Sequence, residues 1–146
     1  MKFQPDSLAG TNTISRHEPA GPPQGRMPEG AARRLPVAPG AVWINGVRWG
    51  HSVLVPWRGD VTPWPLDALA ALTANHFEQV LALKPELVIF GSGHRLQFVS
   101  PALYRALIEA RIGIETMDTA AACRTYNVLA SEGRSVVAAL LLAPAP

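Results

Sequence analysis

From Ala41 onward the chain alternates short apolar runs with segments of helical period. Ala41-Val42-Trp43-Ile44 and Val47-Arg48-Trp49 are β-favouring, and Asn45-Gly46 between them is a strong hairpin signal, because both turn positions need positive φ. Ser52 to Val55 extends the β region until Pro56, which cannot donate to a ladder. Val61 to Pro65, broken by prolines, reads as loop or edge strand, and Leu66 to Leu72 as a single helical turn. Thr73 stands where an N-cap belongs. Phe77, Val80 and Leu81 then share one face of a helix predicted from Ala74 to Leu83, closed by Pro85.

Leu87-Val88-Ile89-Phe90 is a continuous apolar run, the pattern of a central strand buried on both faces. Ser100-Pro101 starts a second helix, with Leu103, Ala106, Leu107 and Ala110 as its buried stripe. Gly113 ends it, and Ile114 to Met117 is the next strand. Asp118 or Thr119 caps a third helix, with Ala121, Thr125, Val128 and Leu129 on one face and Gly133 at its C-terminal stop. Val136 to Leu142 is the last strand. The crossover from Leu87–Phe90 to Ile114–Met117 is long enough for a parallel connection, while the direction of the last strand stays open. The alternation predicts an α/β domain over residues 41–146.

Residues 1–40 look different. They hold seven of the 14 prolines and five of the 12 glycines and show no sustained apolar period. They are expected to be a disordered or loosely draped tail that adds nothing to stability. The tail carries Lys2, Arg16, Arg26, Arg33 and Arg34 against Asp6, Glu18 and Glu29, so the whole formal net charge of +2 belongs to it. The rest is balanced and shows no electrostatic footprint for nucleic acid. No run approaches the roughly 20 apolar residues of a transmembrane helix. The start of the chain has neither a secretory apolar stretch nor an acid-poor transit composition, so a cytoplasmic location is expected. A single cysteine, Cys123, excludes an internal disulfide and a multi-cysteine metal site, and the four histidines form no metal-ligand cluster.

Two groups of residues carry candidate chemistry. Gly91-Ser92-Gly93-His94-Arg95 follows the most buried strand, and Asp118-Thr119 stands at the next strand-to-helix corner. In open α/β sheets, ligands bind beyond the carboxyl ends of the strands, so this corner is a candidate site for a small anion. The alternatives are a plain tight turn and a helix cap. Leu96 stands where a dinucleotide fingerprint needs glycine, and the segment lacks the ending of a P-loop. Cys123 reads as a packing residue, since a reactive thiol there would need His94 as its base. Trp43, Trp49, Trp57 and Trp64 form either part of the core or a partner-binding aromatic patch. No catalytic residue and no cofactor is assigned.

Several of these segments together resemble one family of small α/β proteins: Ile44-Asn45-Gly46-Val47, Ser52 to Val55, Pro63-Trp64, Leu87 to Gly93, Met117-Asp118-Thr119, Ala122 to Leu129 and Glu132-Gly133-Arg134. The family contains mitochondrial complex I assembly factor three and uncharacterised bacterial and archaeal relatives. Thr125-Tyr126-Asn127 is the most specific piece, and Ser92 departs from the Gly-Thr-Gly that the family often has. The resemblance covers about Val42 to Leu142. It implies a single three-layer domain with a mixed central sheet and helices on its faces. It also implies no established enzyme activity, and protein partners in a membrane respiratory complex. Fold does not fix function. An assembly or adaptor protein is therefore the first expectation, and a small-molecule or anion binder, or an enzyme of unknown reaction, using the glycine corner is the alternative.

Overall fold

A computed structural model describes residues 10–19 and 40–142. Within them lie eight strands: β1 (Ile14–Glu18), β2 (Ala41–Ile44), β3 (Val47–Trp49), β4 (Val53–Pro56), β5 (Thr62–Pro63), β6 (Leu87–Gly91), β7 (Gly113–Met117) and β8 (Val136–Leu140). Three α-helices alternate with the later strands: α1 (Ala74–Leu81), α2 (Arg105–Glu109) and α3 (Thr119–Ser131).

The central sheet has the order β5-β4-β8-β6-β7. β8 and β7 both run parallel to β6, one on each side, while β4 is antiparallel to β8. The sheet is thus mixed, as the family resemblance implies, and the direction left open by the sequence is parallel. Side chains alternate across it. Val53, Val55, Leu87, Ile89, Ala138 and Leu140 pack on α3 and on a second, smaller sheet. Leu54, Val88, Phe90, Val137 and Ala139 pack toward α1 and α2 with Trp64, Phe77 and Leu107.

The smaller sheet is antiparallel, in the order β1-β2-β3. Its β2–β3 hairpin turns at Asn45 and Gly46, whose φ values of 53° and 84° are the paired positive angles that the Asn-Gly signal predicts. β1 corrects the expectation that residues 1–40 lie outside the fold. Ile14 is buried, β1 pairs along β2 from Ile14↔Ile44 to Glu18↔Ala41, and Asn12 is buried beside it. The physical reason is that β1 draws its stability from partners far along the chain. Residues 1–9 and 20–39, the rest of the expected tail, lie outside the described residues.

Two helices differ from their predicted faces. The segment after Ser100 begins as a 3-10 turn (Pro101–Tyr104) and is α-helical only over Arg105–Glu109, with Leu107 as its one buried residue. In α3 the buried face is Thr119, Ala122, Cys123, Tyr126 and Ala130, whereas Val128 is exposed. A tyrosine and a cysteine occupy the inward positions, so hydrophobicity alone selects the wrong face.

Candidate functional site

The two halves of the glycine corner do meet. β6 and β7 are parallel neighbours, so Gly91 and Met117 end side by side and their following loops face each other. Thr119 N–H donates to the Gly93 carbonyl at 2.8 Å, and Gly93 N–H donates back to Thr119 Oγ1 at 3.0 Å. Thr119 Oγ1 also donates to the carbonyl of Leu141, the residue just after β8, at 2.9 Å. Ser92 is fully buried. Its N–H donates to the Met117 carbonyl, and its hydroxyl accepts from Gln97 N–H while facing the Arg95 and Met117 carbonyls. Asp118 caps α3, accepting from Ala121 N–H at 2.8 Å.

The corner is therefore a junction whose polar groups bond one another. A cavity of about 10 Å³ remains between His17, His94, Thr119 and Leu141, room for about one water and too little for a phosphate. His94 and Arg95 are exposed beyond it. Gly91 is needed here for close approach. A Cβ at Gly91 would lie 3.0 Å from Thr119 Cα and 3.2 Å from Ala122 Cβ. Gly91→Ala is expected to push α3 off β6 and to cost about 1–3 kcal/mol in urea denaturation. An unchanged midpoint would mean that the helix yields freely.

A larger opening lies further along α3, where β1 runs beside the helix and His17 borders both spaces. Arg16, His17, Cys123, Arg124 and Asn127 are among the residues that line a cleft of about 360 Å³. This cleft is not legible in the sequence because one wall is β1. Asn127 holds that wall: its amide NH₂ donates to the Ile14 carbonyl at 2.6 Å, and its amide oxygen accepts from Ile14 N–H at 2.9 Å. The Tyr126 hydroxyl lies 2.8 Å from the Asn12 carbonyl and 3.1 Å from that of Pro56, so it joins the β1 approach to the end of β4. Tyr126-Asn127 is thus a clamp on residues 12–14.

Burial lowers the pKa of the His17 imidazole, Asp118 opposes the shift and Arg124 adds to it. Burial pushes the Cys123 thiol up to about 12, with Arg124 opposing. A thiol with that pKa is protonated at neutral pH, and the thiolate is the reactive form. Ellman-type reagents are expected to modify native Cys123 slowly at pH 8 and urea-unfolded protein fast. Equal rates would contradict the packing role.

The four tryptophans separate. Trp64 is only 2% exposed. Its indole N–H donates to the His76 carbonyl, and its ring meets Phe77 and Phe90 edge-on, so it belongs to the core. Trp57 is half-buried, donates to the Ala130 carbonyl and has Arg58 over its ring. Trp49 is half-buried and edge-on to His51. Trp43 stands on the outer face of the small sheet, between Arg16 at 4.7 Å and Arg48 at 5.7 Å from the ring centre. Among the described residues there is no group of three or more acidic, histidine or cysteine side chains placed to hold a metal, and no helix is long and apolar enough to cross a membrane.

Comparison with known proteins bears on these surfaces. The family described as protein of unknown function (DUF498/DUF598) matches residues 36–141. The chain is 35% identical over 104 residues to NADH dehydrogenase (ubiquinone) 1 alpha subcomplex assembly factor 3 of Bos taurus, covering 69% of this chain and 55% of that protein. It is 38% identical over 105 residues to an uncharacterised protein of Rhodobacter capsulatus, covering 72% and 75%. The chain thus spans about half the length of the assembly factors it matches. A crystal structure of a Bordetella parapertussis protein superposes with a TM-score of 0.72 at 32% identity, covering 93% of this chain and 99% of that one. A solution structure of a Bordetella pertussis protein, described as a Mth938-like domain, gives 0.70 at 28%, covering 97% and 92%.

Proposed function

This chain belongs to the DUF498/DUF598 family of proteins of unknown function, and from that premise we propose that it is an assembly factor for respiratory complex I that works by contact with protein partners and not by catalysis. The observation that carries the proposal is the 35% identity to a complex I assembly factor over 104 residues. That stretch amounts to most of the domain described above. The geometry favours contact over turnover. The glycine corner, the place for a ligand in such a sheet, is closed by its own hydrogen bonds. Trp43, by contrast, is flanked by two arginines on an outer sheet face. The proposed compartment is the cytoplasm.

The test is capture of the tagged full chain from its source cells after mild cross-linking, with mass spectrometry of what co-elutes. Subunits of NADH dehydrogenase are expected to be enriched over a tag-only control. Their absence, with the bait recovered intact, would overturn the proposal.

A further inference from the structure

The cleft between β1 and α3 runs beside backbone groups that are left open. The two-residue hairpin makes Ile44↔Val47 a hydrogen-bonded pair, and Val42↔Trp49, two residues on, is bonded in the same way. Val42 thus directs its N–H and C=O to β3. Its partner on β1, His17, therefore turns its own away from β2, toward α3. Ile14, opposite Ile44, is turned the same way, and there Asn127 takes both groups. Among the described residues, none takes those of His17.

α3 runs antiparallel to β1, since Asn127 lies at Ile14 while Thr119 borders the same small space as His17. Seven residues of helix and three of strand each span about 10 Å, so the two walls keep step. Ala120, Cys123, Arg124 and Asn127 form one helical face along the cleft. Arg124 therefore stands between His17 and the Asn127 clamp. Its charge acts on the His17 ring, and among the described residues it has no carboxylate partner. Asp118, which also acts on that ring, is held in the α3 cap.

A residue that pairs with His17 in the antiparallel sense donates its N–H to the His17 carbonyl and accepts the His17 N–H on its own carbonyl oxygen. Its chain enters from the Pro19 end of β1 and heads for Asn127, whose bonds to Ile14 close the way. A chain seated there has to end at that residue. One oxygen of the terminal carboxylate takes the His17 N–H, and the other meets the Arg124 guanidinium in a charge-assisted bond. Paired residues share a face of the ladder, so the terminal side chain lies on the inner side with His17, by Ala120 and Cys123. A cleft of about 360 Å³ has room there for a small apolar group.

Building on the role in protein contact, we propose that this cleft captures the carboxyl-terminal residue of a partner protein, a small apolar one, between the His17 backbone and Arg124.

The test titrates the full chain calorimetrically with the peptide acetyl-Ser-Thr-Ser-Thr-Val bearing a free carboxylate. Binding is expected, and it should weaken as salt is raised. The C-terminal amide of the peptide, and the peptide N-methylated at its last residue, should each bind about tenfold more weakly. Arg124→Gln should cost about as much while leaving the thermal midpoint unchanged, because Arg124 is exposed. In nitrogen-15 spectra the His17 amide should move on binding, and that of Trp49, on the far strand of the small sheet, should not. No binding of the free acid, equal binding of its amide, indifference to Arg124→Gln, or equally tight binding of acetate would each overturn the proposal. Capture of complex I subunits from cells does not depend on this cleft, so failure here leaves that result standing and removes only the site.

Discussion

Deleting residues 1–19 is expected to lower the thermal midpoint by roughly 10–20 °C, the shift that about 5 kcal/mol produces in a domain of this size. Removing β1 strips the cover from Ile14's neighbours in the core, a loss of about 2 kcal/mol of apolar burial. It also leaves the buried Tyr126 hydroxyl without the Asn12 carbonyl, and Asn127 without either of its bonds to Ile14. Tyr126 keeps the Pro56 carbonyl and water reaches Asn127, so each lost bond counts at its net worth of about 0.5–1.5 kcal/mol, and part of the total is offset by the backbone entropy released. The result would reverse what composition suggests, which is a tail whose removal changes nothing. Asn127→Ala should reproduce part of the loss, since it releases the strand without shortening the chain. A midpoint within a degree or two for the deletion would mean that β1 is held only weakly.

Trp64→Ala is expected to destabilise the fold by about 3–5 kcal/mol, or roughly 10 °C or more. The side chain is 2% exposed and sits among Phe77, Phe90 and the His76 backbone. Trp43→Ala should cost less, about 1–3 kcal/mol, since its half-buried ring lies on the outer sheet face between two arginines and not in the core. The contrast tests the division of the tryptophans into one core residue and one surface residue. Differential scanning calorimetry of the two variants decides it. Similar losses for both would mean that Trp43 is as structural as Trp64.

Local signals in the sequence carry the elements that depend on neighbours. The Asn45-Gly46 turn, the Ser100-Pro101 start and the apolar run Leu87–Phe90 each find their place, because propensity, capping and burial on both faces act within a few residues. β1 is hidden for the opposite reason. Its sequence, Ile-Ser-Arg-His-Glu, has one apolar residue, and its stability comes from β2 and from Tyr126-Asn127, more than 100 residues away. The same distance explains the cleft that the sequence did not suggest, since Arg16 and Arg124 meet only after β1 docks. The glycine corner was legible as a place but not as a state. Parallel strands bring Gly93 and Thr119 together, yet only the geometry shows that they bond to each other. Thr125-Tyr126-Asn127, the most specific segment of the family resemblance, has a physical role in this account: it fastens the first strand.

Deletion of the gene in the source organism, followed by a native gel stained for NADH dehydrogenase activity, tests the assembly role most directly. Less assembled complex I is expected, with accumulation of its partial assemblies and recovery when the wild-type chain is restored. Undiminished, fully assembled complex I in the deletion strain would contradict it.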